Sequence, residues 1–426
     1  MYFPPAGGGG VQRPLKFATH LPELGIETHV LAPDDPKWIH RDDELPPPTL
    51  AWVHRARYLG PKGRKPAEEL HGTQGLERFG VYARLAGRRL LVPDENVSWN
   101  LTAVPAAIRI ARREGIDAIV TTSPPSSVHL VGAAVKRATG IPWVADLRDG
   151  WRFESLRPRP ALPALDRLDA ALERLVATRA DAVSAVTEPI AADLASRFAR
   201  EVATITNGYD PEATDDDGTG ADSAASGKSA LTPGRRTLVH TGTLSYGGRP
   251  LGPLLEALQG LKASAPEAAQ RLEVALVGPI TDAERAQVER AGLSDTVRIT
   301  GSVPRATAVA LQRAADGLLV ITGPGQSGVA TGKLYEYLTA RRPILVIGDE
   351  TAAARIVEET GAGIAVGRND PPALTAALRR LAESPEDLPS PSDEAVAHFG
   401  YPALAQEMAE LVETAIARRA ASRPDR

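Results

Sequence analysis

"LLVITGPGQSGVATGKLYEYLTARRPILVIGD", residues 318–349, reads as strand, glycine-rich loop, helix and strand. The runs "GLLVITG" (317–323) and "PILVIGD" (343–349) are short, apolar and β-branched, as strands buried on both faces are. Between them "GKLYEYLTA" (332–340) places Leu334, Tyr337 and Leu338 on one side of a helix. Lys333 and Glu336, three apart, share the other side. A strand–helix–strand unit of this kind belongs in a parallel sheet.

The same alternation runs through both halves of the chain. After residue 236 come "TLVHTGTL" (237–244), "EVALVGPI" (273–280), "VRITGSV" (297–303) and "GIAVG" (363–367), with helical patterns between. Before residue 210 come "IETHVLAP" (26–33), "DAIVTTS" (117–123), "IPWVADLRD" (141–149), "ADAVSAVTEP" (180–189) and "VATITNGYD" (202–210). Between the halves, residues 210–234 hold six acids, one Lys and almost no large apolar residue, which reads as a solvated linker or insertion. The fold class is α/β, with two doubly wound, Rossmann-like domains. The expected division is an N-terminal domain over 1–209, an acidic linker over 210–235, a second domain over 236–401 and a C-terminal helix within 402–426. The apolar set Leu404, Met408, Leu411 and Val412 should pack that helix back toward the N-terminal domain.

Bulk properties exclude several classes. The 426 residues carry a net charge of −4, which gives no general basis for binding nucleic acid. There is no cysteine, hence no disulfide, thiol catalysis or Cys-ligated zinc. The eight His show no metal-ligand spacing. No signal peptide and no apolar run of about 18 residues is evident, so a cytoplasmic location is expected. Residues 51–90 hold nine Arg or Lys against three Glu, with Trp52, Tyr58, Phe79 and Tyr82 interspersed. This segment is either a solvated loop or a face for anionic lipid at the membrane's inner surface.

Open α/β sheets bind ligands beyond the carboxyl ends of their strands, and those ends supply the candidates. Near the N-terminus "PPAGGGGVQRP" (4–14) opens the amphipathic helix "VQRPLKFATHLPELG". Its Gly9 and Gly10 would let backbone N–H groups approach a ligand. Only "MYF" precedes the prolines, so the first sheet should lack most of its first strand. "DLRD" places Asp146, Arg148 and Asp149 at a strand end, and alternation puts Asp146 and Arg148 on one face. The pair is either a structural ion pair or a carboxylate held ionised for a substrate hydroxyl. In "TGTLSYGGR" (241–249), Thr243 and Arg249 precede a helix, and Val303 lies in "GSVPR" (301–305). Thr331, Gly332 and Lys333 start the helix that carries Glu336. A helix N-terminus with a Lys suits a diphosphate, and a carboxylate suits a ribose diol. The glycine run has no GxGxxG pattern and there is no GxxxxGK[ST], which disfavours a nicotinamide cofactor and a P-loop.

Together, "YFPPAGGGGVQRPLKFATHLPELG", "TSPPSS", "WVADLRDGW", "TNGYD", "HTGTLSYGGR" and "GKLYEYLTARRPIL" resemble the family-four glycosyltransferases of the GT-B fold. The resemblance implies two domains facing across a cleft, a nucleotide-sugar donor on the second and an acceptor on the first. It implies metal-independent transfer with retention, with no cofactor. By position, Glu336 would hold the donor ribose and Arg249 the diphosphate, with Thr243 where the family has a further basic residue. Gly328 stands where the family has the first Glu of its Glu–seven residues–Glu motif, and Arg148 falls roughly where many members have a histidine. The implied acceptor is a cell-surface glycan, a glycolipid or a glycosylated metabolite. An epimerase of the same fold and a non-catalytic sugar-nucleotide-binding protein remain as alternatives.

Overall fold

The computed structural model describes residues 1–35, 41–42, 45–60, 87, 90–155, 159–160, 162–211, 231–244 and 248–421. Most of the acidic linker and most of the basic 51–90 segment lie outside these residues. The chain forms two compact units, Met1–Thr206 with Tyr401–Arg426, and Asn207–Gly400.

In the first unit, helix α1 (Gly9–His20) starts after Gly8, whose φ of 91° suits glycine. It buries Val11, Leu15, Phe17 and Ala18, the apolar stripe read from the sequence, and also Arg13. Strands β1 (His29–Pro33) and β2 (Trp52–Ala56) pair in parallel. Then follow α2 (Asn100–Arg113), β3 (Ile119–Ser123), α3 (Val128–Thr139), β4 (Trp143–Leu147), α4 (Pro163–Arg179), β5 (Ala182–Ala185), α5 (Glu188–Phe198) and β6 (Ala203–Thr204). β3 to β6 form a four-stranded parallel sheet in sequence order, and β1–β2 is a separate sheet. This differs from a single doubly wound sheet. Residues 1–3 form no strand. Met1 and Tyr2 instead pack on the apolar cluster that also holds Leu31 of β1 and Ile119 of β3. Pro4 and Pro5 follow directly and have no N–H with which to extend a ladder.

In the second unit the elements are β7 (Arg236–Thr241), α6 (Gly252–Ser264), α7 (Pro266–Arg271), β8 (Leu272–Val277), α8 (Asp282–Arg290) and β9 (Val297–Gly301). They continue as α9 (Arg305–Ala314), β10 (Gly317–Ile321), α10 (Gly332–Thr339), β11 (Ile344–Ile347), α11 (Ala352–Glu359), β12 (Gly363–Val366), α12 (Pro371–Glu383) and α13 (Asp393–Ala397). All six strands are parallel, in the order β12-β11-β10-β7-β8-β9. The order reverses between β7 and β10, which makes their carboxyl ends the switch point where such sheets take ligands. Both faces are buried. Leu238, Leu276, Leu319 and Leu345 point to one core, and Val239, Ala275, Leu318 and Val346 to the other.

The last helix, α14 (Tyr401–Ala421), belongs to the first unit. Its Leu404 and Met408 are buried with Phe17 and Leu21 of the α1 segment and Val144 of β4, and Leu411 and Val412 are partly buried there. Among the described residues, no helix is long and apolar enough to cross a membrane.

Candidate active site

At the switch point of the second unit, β7 and β10 pair only through Leu238 and Val239 and then diverge. His240 fills the gap and donates from Nδ1 to the Leu319 carbonyl at 2.9 Å. That bond leaves Nε2 as a buried acceptor without a partner among the described residues. Burial, with Lys333 and Arg249 nearby, pushes the His240 pKa down to about 3, so the ring is neutral.

Beyond β7 the chain turns at Gly242, with φ of 97°. A Cβ on Gly242 would stand 2.5 Å from Lys333 Nζ, so the ammonium rests directly on this backbone. Lys333 is the second residue of α10. No side chain caps that helix and its first turn has no acid. Burial first, then the Arg249 charge, lowers the Lys333 pKa to about 8, against an opposing pull from Glu336. Arg249 is half-buried, which lowers its pKa too, and its Nη1 donates to the Thr243 carbonyl at 3.1 Å. Among the described residues neither cation has a carboxylate partner. Two partly desolvated cations, one of them in the first turn of a helix, are chemically suited to an anion such as a diphosphate.

Glu336 lies one turn along α10, half-exposed between the buried Tyr335 and Tyr337. Its partner is Arg305, the first residue of α9, with Nη1 3.0 Å from Oε1. The sequence offered Lys333 as the local partner. In the structure the two side chains of α10 serve separate places. Val303, two residues before Arg305, is partly buried against the core. The loop between β10 and α10 is tied down from two directions. The Gln326 Oε1 accepts from the Gly323 N–H at 2.8 Å, and Arg368 Nη1 donates to Thr322 Oγ1 at 3.1 Å and to the Gly323 carbonyl at 3.0 Å.

In the first unit, Asp146 is fully buried on β4. Its oxygens accept from Arg13 Nη2 at 2.8 Å and Nε at 3.0 Å, from Thr122 Oγ1 at 2.7 Å and from Ser184 Oγ at 2.9 Å. Burial alone would raise its pKa, but the Arg13 charge and these bonds hold it below the usual range. The expected pairing of Asp146 with Arg148 is therefore corrected: Arg13 is the partner. Arg13 also donates to the carbonyls of Ile205 and Thr206, which pins α1 across the carboxyl ends of the sheet. With its acceptor sites used inside the fold, Asp146 holds α1 and the glycine loop in place.

Arg148 lies past the end of β4, and burial lowers its pKa. It donates to three carbonyls, from Nε to Ser123 at 2.7 Å, from Nη2 to Pro124 at 3.1 Å, and from Nη1 to Gly10. It thus joins the start of α1 to the "TSPPSS" loop. A Cβ on Gly10 would meet the Tyr2 ring at 3.1 Å, whereas one on Gly9 would meet nothing within 4 Å. Asp149 reaches solvent, yet desolvation of its carboxylate by the surrounding chain raises its pKa, and Arg148 offsets this only in part. The segment after it is clamped to α4, where Trp151 Nε1 donates to Asp169 at 3.1 Å and Arg152 pairs with Asp166 and Asp169. Arg13, His240, Arg305, Gln326 and Arg368 were not among the residues singled out from the sequence. Each acts through a partner distant in the chain or through a backbone group.

Residues 8–208 match the family model described as a glycosyl transferase 4-like domain, and residues 235–384 match that for glycosyl transferases group 1. No curated protein sequence matches the chain. The sucrose-phosphate synthase of Thermosynechococcus elongatus has a similar structure, with a TM-score of 0.61 at 17% identity over 97% of this chain and 94% of that one. The Anabaena protein HepE, solved in complex with UDP-glucose, gives a TM-score of 0.52 at 16% identity over 85% and 86%. WaaG, a glycosyltransferase involved in lipopolysaccharide biosynthesis, gives 0.54 at 15% identity over 97% and 96%. The chain is a glycosyltransferase of the GT-B type, built from these two domains in succession.

Proposed function

We propose that the enzyme is a retaining, family-four transferase that uses a nucleotide-diphosphate sugar and needs no metal. The observation that carries this reading is the pair of cations Arg249 and Lys333 at the β7–β10 switch point, without a carboxylate partner among the described residues, with Glu336 one turn along the same helix. As glycosidic bond cleavage proceeds, negative charge grows on the departing diphosphate. Arg249, Lys333 and the N–H groups of Gly332 and Lys333 stand ready to receive it, which is the work a divalent cation performs in other enzymes. Glu336 accepts from the ribose diol, with Thr243, Val303 and Thr331 lining the donor site. Gly9, Gly10, Arg148 and Asp149 serve the reacting end, with Asp149 as the solvent-reaching carboxylate for an acceptor hydroxyl.

The HepE complex with UDP-glucose supports a nucleotide-sugar donor. The role of WaaG in lipopolysaccharide biosynthesis, the basic 51–90 segment and the exposed Trp52 support a lipid-linked or cell-surface glycan acceptor, met at the cytoplasmic face of a membrane. The test is incubation with a panel of nucleotide sugars, with and without EDTA, following release of nucleoside diphosphate and the anomeric configuration of the product by NMR. Release that survives EDTA, with a retained anomer, is expected. An inverted product or an absolute metal requirement overturns the corresponding part. Donor binding without turnover on any acceptor would favour the non-catalytic alternative, which Gly328 in place of a glutamate makes worth testing.

A further inference from the structure

Arg305 and Glu336 belong to different helices, 31 residues apart in the chain, and both touch solvent. An ion pair between exposed side chains contributes little to stability. The pair therefore calls for an explanation in what the carboxylate does. Three observations bear on it. Of the two Glu336 oxygens, it is Oε1 that accepts from Arg305 Nη1. Among the described residues Oε2 has no partner. Lys333, the nearer cation in sequence, is turned away onto Gly242.

We infer that Arg305 is a positioning residue for the donor ribose: it fixes one oxygen of Glu336 so that the other faces the 2′- and 3′-hydroxyls. This rests on the assignment of Glu336 to the ribose. A glutamate has three rotatable side-chain bonds, and a free carboxylate on an exposed helix face samples several rotamers. Arg305 stands at the first turn of α9, directly after the "GSVP" loop, and its own helix fixes its origin. Holding Oε1 leaves the free Oε2 in one orientation before donor arrives, so the ordering cost is met within the protein. The arginine need not touch the nucleotide.

The test uses the full-length enzyme and calorimetric binding of UDP, GDP and ADP. The tightest binder is then compared with its 2′,3′-dideoxy analogue, which lacks both hydroxyls. The proteins are wild type, Arg305→Ala, Arg305→Lys, Glu336→Gln and the double variant Arg305→Ala/Glu336→Gln. Arg305→Ala should weaken the ribonucleotide roughly 3- to 10-fold, a coupling typical of directly contacting residues, and leave the dideoxy analogue within about 2-fold. Arg305→Lys should restore most of the loss, and Arg305→Ala should add nothing to Glu336→Gln. Equal weakening of both nucleotides by Arg305→Ala would place the arginine on the phosphates or base and overturn the inference. A Glu336→Gln variant that keeps the wild-type ratio of ribo to dideoxy affinity would instead overturn the ribose assignment itself. Failure of all three nucleotides to bind would overturn both.

Discussion

The ammonium of Lys333 rests on the backbone of Gly242, so close that a Cβ there would stand 2.5 Å from Nζ. Gly242 also has φ of 97°, where any other residue is strained. Gly242→Ala should therefore act twice. The backbone strain should cost about 1–2 kcal/mol of stability. Displacement of the ammonium should weaken donor use roughly 10-fold or more in kcat/KM, the scale of a lost charge-assisted bond. In a Lys333→Met background, Gly242→Ala should cost stability alone. If it weakens donor use equally in both backgrounds, Lys333 is not what Gly242 makes room for.

Lys333 also predicts a pH dependence. With its pKa lowered to about 8 by burial and Arg249, the free enzyme should lose the ammonium as pH rises through that value. Donor kcat/KM should fall on that limb, because it reports ionisations of the free enzyme. Stability should move the other way. The unfolded lysine titrates at 10.5, so between about 8 and 10.5 the unfolded chain binds more protons, and stability rises with pH. Lys333→Met should accordingly bind nucleoside diphosphate poorly and yet melt no lower than wild type. A profile of kcat/KM that is flat from pH 7 to 9, or an unchanged limb in Lys333→Met, would remove the lysine from the donor site.

What could be read from the sequence and what could not divides along a physical line. Buried parallel strands are apolar runs, and β8, β10 and β11 lie inside the stretches that stand out for that reason. The amphipathic face of α1 is equally local, and Val11, Leu15, Phe17 and Ala18 are buried as their spacing requires. Arg13 sits in the same helix and looks like one of its solvent residues. Its partner, Asp146, is 133 positions away, and no periodicity encodes that contact. The alternation that put Asp146 with Arg148 fails because β4 ends at Leu147, and Arg148 lies where the pleat has stopped. Arg305 is silent in the sequence for a related reason: a single basic residue after a proline carries no local sign of a carboxylate on another helix.

The Arg13–Asp146 pair and Arg148, both in the first unit, should respond differently to substitution. Asp146→Ala would leave the Arg13 guanidinium buried without its carboxylate, and breaking such a pair costs about 3–5 kcal/mol. Urea unfolding should show this as a lower midpoint. Arg148→Lys keeps the charge but offers one ammonium where three carbonyls now bond to three separate nitrogens. It should loosen the glycine loop and lower kcat more than it lowers the unfolding midpoint. Should Asp146→Ala fold with wild-type stability, the pair would not be what anchors α1. If Arg148→Lys retained full activity, the three-carbonyl clamp would have no bearing on turnover.

His129 and His240, both buried and one in each unit, should shape the acid side of the stability profile. His129 on α3 is fully buried, hydrogen-bonded to Thr121 at 2.8 Å, and burial lowers its pKa to about 3 against a raising pull from Asp146. His240 is likewise held near 3. In the unfolded chain both titrate at 6.5. Between these values the unfolded state binds more protons than the folded one, so stability is full above 6.5 and is lost as pH falls. Each histidine should contribute a slope of about 1.4 kcal/mol per pH unit over that window. His129→Gln and His240→Gln remove the titration and retain a polar side chain. Urea unfolding followed from pH 7 to pH 4 should show one proton fewer taken up in each variant. If the units unfold in separate transitions, His129→Gln should flatten only that of the first and His240→Gln only that of the second. Slopes identical to wild type in both variants would mean that the acid sensitivity of the protein arises from its carboxylates instead.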